Sequence, residues 1–307
     1  MTGAAAVAAA VLALALPALV PERAAAAGSC DRIAAPSGSE RAGPHTAQAL
    51  VNSLAPGETG CLRSGIYGDD EEIKLETPGI TLRSFPGEHA SVRGRIWVTK
   101  DAPGSVLADL TIDGRNDRGL PSPTINGDGV AVVDNEITND HSGICISVGS
   151  PEEFGRAEGT LIRGNTIHDC GELPATNFDH GIYVNSADRT VIVDNVINDN
   201  ADRGVQLYPD AQDTLVAGNV IVGNGEGIIF GGNEETASSG NFVIGNVVTG
   251  STIRADIESS WGGAVGTSNY VIANCIGPAG SASGVGFSGI GNLMATATGE
   301  PCAVPTP

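Results

Sequence analysis

Aromatic and basic residues are both scarce in this 307-residue chain. Only 4% of its residues are aromatic, and 16 Lys and Arg stand against 36 Asp and Glu, which gives a formal net charge of −20. So few rings exclude a broad core filled by aromatic side chains and favour a narrow core of stacked Val and Ile. The acidic excess makes nucleic acid and anionic membrane surfaces poor partners, because both would repel the chain.

A hydrophobic run of membrane-spanning length is also missing from the N-terminal region. Residues 4–20 are apolar but form a short, Ala-rich stretch, and small residues follow at 24–27. This pattern predicts a signal peptide over residues 1–27. We expect a secreted, extracellular protein that does not contact the membrane once the signal is removed.

The six cysteines are an even number, which favours disulfides in an exported protein. Six cysteines allow fifteen connectivities. Their order along the chain suggests the pairs Cys30 with Cys61, Cys145 with Cys170, and Cys275 with Cys302.

A short phrase typified by VVDNEIT returns six times along the chain. Its asparagines fall at positions 135, 165, 195, 219, 246 and 274. Successive asparagines are therefore 24 to 30 residues apart. A repeat of this length, apolar at alternate positions and broken by Asn and Gly, indicates a solenoid. We predict an all-β fold, a parallel β-helix over residues 61–276, with one Asn per coil bonded to its neighbours along the stack.

Non-repetitive segments flank the predicted coils. Thr46 is a suitable N-cap for a short helix with apolar residues at Ala47, Leu50, Val51 and Leu54, so residues 28–60 are predicted to close the N-terminal end. Residues 277–307 contain no repeat and are expected to form an irregular C-terminal cap.

Three strand-and-turn segments follow the helix: CLRSGIYGDD at 61–70, GITLRSFPGE at 79–88 and VLADLTIDG at 106–114. Their order resembles the N-terminal coils of secreted right-handed parallel β-helix proteins. This pectate-lyase-like superfamily includes pectate lyases, alginate lyases, polygalacturonases and mannuronan C5-epimerases. The resemblance extends from about residue 46 to 276 and implies a right-handed helix and a polysaccharide substrate, although many chemistries share this scaffold.

The second strand of each coil can be aligned on its glycine to separate core from surface. The aligned segments are SGICIS, HGIYVN, RGVQLY, EGIIFG and RADIES, beginning at Ser142, His180, Arg203, Glu226 and Arg254. The alignment predicts that Ile144 and Ile182 point inward in one row. It places the first residue of each segment outward, and it also places outward Cys145, Tyr183, Gln206, Asn185 and Tyr208.

Candidate catalytic residues cluster in NFDHGIYV at 177–184 and in the next coil. Asp179 can orient His180 and raise its basicity, while Arg203 can neutralise a substrate carboxylate. Either His180 or Tyr183 is the expected base for removing the C5 proton of a uronate, and the other the acid that protonates the leaving oxygen. Substrate-binding candidates are Asn177, Asp202, Gln206, Tyr208 and Asn185. Residues 170–178 are expected to form one wall of a groove.

Several alternatives remain open at this point. Arg203, Glu226 and Arg254 alternate in sign and fit an ordinary surface salt-bridge ladder. The resemblance favours a polysaccharide lyase, but Asp179-His180 is also similar to the epimerase Asp-Pro-His motif without its proline. A lysine base is disfavoured because the two lysines, Lys74 and Lys100, precede the repeats. A glycoside hydrolase and a non-catalytic carbohydrate-binding protein are further candidates.

The expected partner is an acidic polysaccharide bound by a monomeric protein. Calcium is the expected ion, because an acidic protein holding an acidic glycan needs arginine or a bridging cation, although no dense calcium-loop spacing occurs. No organic cofactor is expected.

Overall fold

The computed structural model describes residues 29–37, 39, 43–68, 72–151, 154–259, 263–280 and 286–294. The predicted signal peptide and most of the predicted C-terminal cap lie outside the described residues. Within them, the chain winds into three parallel sheets of eleven, nine and ten strands, and each coil adds strands to the growing stack. The predicted parallel β-helix is therefore confirmed.

The strands are short, as expected for a solenoid whose turns recur every few residues. The first sheet contains Arg32–Ala34, Thr59–Leu62, Thr81–Ser84, Val106–Ala108, Ala131–Val133, Leu161–Arg163, Val191–Val193, Leu215–Ala217, Phe242–Ile244, Tyr270–Ile272 and Ser288–Ile290. The second contains Glu72–Leu75, Arg95–Val98, Thr124–Ile125, Ile146–Gly149, Ala157–Glu158, Ile182–Asp188, Arg203–Gln212, Glu226–Phe230 and Ile257–Ser259. The third contains Gly65–Tyr67, Ala90–Arg93, Leu110–Asp113, Glu136–Thr138, Thr166–His168, Val196–Asn198, Val220–Val222, Val247–Thr249, Cys275–Ile276 and Leu293–Met294.

The core is a narrow stack of aliphatic side chains enclosed by the three sheets. One row of the second sheet, in register, is Ile146, Ile182, Val205, Ile228 and Ile257, and none of these side chains is exposed. Burying such rows supplies the main driving force for folding. The scarcity of aromatic residues agrees with this narrow interior.

The repeated asparagines form the hydrogen-bonded column that the sequence predicts. Each side-chain amide from Asn135 to Asn246 donates to the Oδ1 of the next asparagine, at 2.9 to 3.0 Å. The structure adds one member, since Asn274 donates to Asn292 at 3.0 Å. A shorter column joins Asn200 to Asn224 at 2.8 Å. Because these amides are buried, each bond satisfies a group that water cannot reach.

The predicted helix closes the N-terminal end of the core. It spans Ala47–Ser53, and the Thr46 side chain accepts from the backbone N–H of Ala49 at 3.1 Å. Leu50 and Val51 are buried. The cap therefore directs an apolar face onto the first coils.

Two of the predicted disulfides are confirmed, Cys30 with Cys61 and Cys145 with Cys170. Cys275 is also disulfide-bonded, and its predicted partner Cys302 lies outside the described residues. Within the described chain, no helix has both the length and the apolar character that a membrane crossing requires.

The strand alignment was wrong in two coils. Ile146, rather than Ile144, pairs with Ile182, and Ser147 rather than Cys145 pairs with Tyr183. The physical reason is that residues 142–145 form a bend before the strand, while Cys145 enters the core and bonds Cys170. In the last aligned segment, RADIES, Ile257 rather than Asp256 pairs with Ile228, so the predicted alignment was displaced by one residue.

Candidate functional site

The candidate site lies on the outward face of the second sheet, where one column of side chains follows the axis of the β-helix. In register, the column is Trp97, Thr124, Ser147, Tyr183, Gln206, Ile229 and Glu258. Because side chains alternate along a strand, this column lies opposite the core rows. The predicted pairing of Tyr183 with Gln206 is confirmed.

His180 lies two residues before the strand Ile182–Asp188 and is 2% exposed, although the sequence alignment placed it outward. Its ring is 5.6 Å from that of Tyr183, in an edge-to-face arrangement. Burial and then the charge of Arg203 hold the pKa of His180 well below 6.5, while Gln206 and the backbone of Asp179 act in the opposite direction. Its Nδ1 has no hydrogen-bond partner among the described residues. The imidazole is therefore neutral at neutral pH.

Tyr183 is partly buried beside that imidazole. Burial, with a smaller contribution from Tyr208, raises the pKa of Tyr183 to about 12. The phenol therefore keeps its proton across the physiological pH range. Of the two roles predicted for Tyr183, its charge state fits the acid rather than the base.

Asp202 anchors the loop that leads into His180. Its carboxylate accepts from the backbone N–H groups of Asn177 and Asp179, both at 2.9 Å, and lies 3.4 Å from the Thr176 hydroxyl oxygen. The same hydroxyl donates to the Asp179 carboxylate at 2.8 Å. Since Asp202 is only 5% exposed, this carboxylate serves the loop rather than the open groove.

Arg203 also holds this loop by hydrogen bonds, and its side chain is 0% exposed. Its guanidinium donates to the backbone O of Asn177 at 2.6 Å and to the Oδ1 of Asn177 at 2.5 Å. Further bonds reach Gln206 Oε1 at 3.4 Å and Glu226 Oε2 at 3.2 Å. The predicted outward placement of Arg203 was wrong.

The alternating charges do form an ion-pair ladder, because Arg254 also contacts Glu226, at 3.3 Å. The ladder is not a surface feature at Arg203 and Glu226, whose exposures are 0% and 4%. Arg203 and Glu226 lie two residues before the inward Val205 and Ile228, so the alternation of side chains places them on the same, inward side of the strand. They lie where the core ends at a corner of the coil. Burial raises the pKa of Glu226, and the charges of Arg203 and Arg254 oppose that rise.

A cavity of about 250 Å³ opens beside this corner. It is lined by Gln206, Tyr208, Ile229, Phe230, Gly231, Gly232, Asn233, Glu234 and Gly263. A Cβ on Gly231 would lie 2.8 Å from the Tyr208 ring, so glycine is required for the close approach of ring and backbone. Tyr208 and Gln206 were predicted from the sequence, whereas the wall at 231–234 was not, although its Gly-Gly pair interrupts the strand pattern.

Asn185, the last predicted binding residue, lies at a β-bulge between Val184 and Ser186. Its Oδ1 accepts from the Ser186 hydroxyl at 3.2 Å. Thr176 is a residue that the sequence did not indicate, and only the folded loop places its hydroxyl between two carboxylates. The structure thus joins Asn177, Asp179, Asp202 and Arg203 into one loop anchor beside His180 and Tyr183.

Solved structures share this architecture at low identity. Pectate lyase Pel9A is 15% identical with a TM-score of 0.59, and the match covers 88% of this chain and 78% of that chain. An alginate lyase from Paenibacillus sp. str. FPU-7 is 19% identical with a TM-score of 0.58, covering 86% and 95%. XylC, in a complex with xylose, is 11% identical with a TM-score of 0.62, covering 86% and 67%. At these identities the likeness shows the fold, a right-handed parallel β-helix.

No curated protein matches the chain. The family model described as periplasmic copper-binding protein (NosD) matches residues 115–277. This match includes the asparagine column from Asn135 to Asn274. It also includes the corner formed by His180, Tyr183, Asp202 and Arg203, here called the His180 corner, and it spans just over half of the 307 residues. The chain therefore belongs to the NosD family.

Proposed function

We propose that the protein is a carbohydrate-active β-helix protein that binds a glycan along the outward face of the second sheet. The finer proposal is a polysaccharide lyase that acts on a uronate unit. The observation that carries it is the edge-to-face contact between the neutral imidazole of His180 and the protonated phenol of Tyr183, beside the cavity that Gln206 and Tyr208 help to line. The solved lyases with this fold support the substrate class.

The proposed reaction is a β-elimination. His180 accepts the C5 proton, the C5–H electron pair forms the C4–C5 double bond, and the C4–O bond breaks. Tyr183 gives its proton to the departing oxygen. The low pKa of His180 keeps its imidazole neutral before the step and favours release of the proton afterwards. A C5-epimerase would share the first transfer and return a proton to the opposite face.

Arg203 has a revised role in this proposal. Its buried bonds to Asn177 and Glu226 make it a positioning residue for the loop before His180, rather than the partner of a substrate carboxylate. We propose that calcium, rather than Arg203, neutralises the substrate carboxylate. The described residues offer no group of three or more His, Cys, Asp or Glu side chains that could hold a metal, so carboxylates of the glycan would complete the ligand set.

The family description names copper, which prefers thiolate, thioether and imidazole ligands. Cys30, Cys61, Cys145, Cys170 and Cys275 are all disulfide-bonded. The described part of the chain holds no cluster of three or more potential ligands among His, Cys, Asp and Glu. These residues do not fit a copper centre, and no step is assigned to copper.

Location outside the cytoplasm is part of the proposal. Disulfides persist in oxidising compartments, and the family is described as periplasmic. Both observations are consistent with an extracellular or periplasmic protein.

A second candidate function is glycan binding without turnover. It is favoured by the 2% exposure of His180 and by the commitment of Asp202 and Arg203 to the loop. In that case the corner would be a rigid wall of a binding groove.

The test is proton NMR of uronate polysaccharides incubated in D₂O with the protein, with calcium and with a chelator. New vinylic signals are expected for the wild type and for His89→Ala, whose ring contacts Thr111 away from the site. They should be absent for His180→Ala. Loss of the C5 signal without cleavage would identify an epimerase, and new saturated reducing ends a hydrolase. Unchanged glycans that still bind the protein would establish the second candidate.

A further inference from the structure

A second cavity of about 290 Å³ lies on the same face of the second sheet, towards the N terminus. It is lined by Lys74, Glu76, Trp97, Thr99, Lys100, Asp101 and Phe154. Trp97 belongs to the column that contains Tyr183, with Thr124 and Ser147 between them. Three strand spacings separate the two aromatic residues, a distance of roughly 14 Å.

The lysines of the chain converge on this cavity. Lys74 and Lys100 are the only two among 307 residues, and both line it. The Lys74 ammonium lies 5.0 Å from the centroid of the Trp97 ring and 2.6 Å from Glu76. Glu76 and Asp101 balance the two ammonium groups, so the cavity is close to neutral in a protein of charge −20. An anion is therefore opposed less here than by the acidic surface as a whole.

The walls of this cavity are held by a short chain of hydrogen bonds. The indole N–H of Trp97 donates to Asn126 Oδ1 at 2.8 Å, and Asn126 Nδ2 donates to the backbone O of Gly155 at 3.0 Å. Asn126 is only 2% exposed. The neighbouring Phe154 ring is 6.2 Å from Trp97, edge to face. The Trp97 ring is thus fixed before a ligand arrives, which lowers the entropic cost of binding, while Phe154 leaves about half of its surface exposed to a ligand.

We propose that this cavity binds an anionic sugar unit of the same glycan whose reacting unit lies at Tyr183. This inference rests on the proposed function and extends it, because the ligand is then an acidic polymer rather than a short sugar. Lys100 and Lys74 donate to the carboxylate of the unit, while Trp97 and Phe154 pack against its apolar face. One chain lying along the column occupies both cavities.

The scarcity of lysine provides a direct assay. Acetylation of amines can modify only Lys74, Lys100 and the chain's α-amino group, and mass spectrometry of peptides quantifies each. We expect long oligomers of an acidic uronate glycan to slow the labelling of Lys100 about tenfold. A neutral glycan of the same length should have no effect, and the α-amino group serves as the internal control.

Variants provide the second readout. Lys100 is exposed, so Lys100→Gln should fold normally and raise KM for long acidic oligomers about tenfold, with kcat and the KM for short oligomers unchanged. The control is Phe242→Ala, which removes an exposed ring stacked on Tyr270 in the first sheet and should change neither KM.

The outcomes separate this inference from the function on which it rests. Turnover of the glycan without protection of Lys100, or an equal rise in KM for short and long oligomers, overturns the second cavity alone. Protection of Lys100 without turnover overturns the lyase and leaves an anionic-sugar site. Neither turnover nor protection overturns both.

Discussion

The asparagine column and the His180 corner are two edges of the same coils, and they are built in opposite ways. From Asn135 to Asn292 every coil contributes the same residue, and the amide-to-amide distances vary only from 2.9 to 3.0 Å. At the corner, Asp202 and Arg203 make contacts that their neighbours do not repeat, and the strands carry a bulge. Uniform stacking of asparagines satisfies the hydrogen-bonding groups of the backbone. A site with a specific arrangement of side chains requires instead that one coil differ from the next.

The largest expected effect on stability is at the corner. Arg203→Ala should lower the free energy of unfolding by about 3 to 5 kcal/mol, because it leaves Glu226 buried with less compensation and removes both bonds to Asn177. Denaturant unfolding measures this loss. Arg254→Ala, which removes the exposed partner of the same Glu226, should cost at most about 1 kcal/mol. Equal losses for the two variants would show that burial does not distinguish the two arginines.

The asparagine column should show the next largest effect. Asn195→Ala removes the acceptor for the backbone N–H and the side-chain amide of Asn165, both buried. The loss of unfolding free energy should be about 3 kcal/mol, since each unsatisfied buried group costs about 1 to 3 kcal/mol. Asn198→Ala, in the same coil but with its side-chain amide donating to the exposed Asp199, should stay within about 0.5 kcal/mol of the wild type. A column that tolerates Asn195→Ala as well as Asn198→Ala would not be the element that stabilises the stack.

A smaller, pH-dependent effect should distinguish the corner from the column. The folded protein holds the pKa of His180 below 6.5, so on acidification the unfolded chain takes up a proton that the folded chain does not. Stability is therefore lost as the pH falls below about 6.5, with a slope of about 1.4 kcal/mol per pH unit from this group. The difference in unfolding free energy between the wild type and His180→Gln, followed against pH, isolates this slope. A constant difference from pH 7 to pH 5 would contradict the burial of a neutral imidazole.

The column and the corner also differ in how far the sequence could predict them. The six asparagines of the repeat recur in the same short phrase, so their stacking follows from the repeat itself, whereas Asn292, only 18 residues after Asn274, was not predicted. The contacts of Asn177 with Asp202 and Arg203 depend on how the inserted loop folds back across the next coil, which no period encodes. The register error at Cys145 has the same origin, because a bend shifts the strand by two residues. The pairing of Tyr183 with Gln206 was predictable because their strands keep the regular alternation at these positions.

The central proposal is that the irregular corner carries the chemistry, whereas the regular column satisfies buried amides and is not needed for turnover. The most direct test is the turnover of Tyr183→Phe compared with the wild type on the glycan identified by NMR. Removing the phenolic proton donor should lower turnover by about 10² to 10⁴-fold, with the free energy of unfolding at neutral pH within about 0.5 kcal/mol of the wild type. Turnover equal to that of the wild type would contradict the assignment of the corner as the catalytic site.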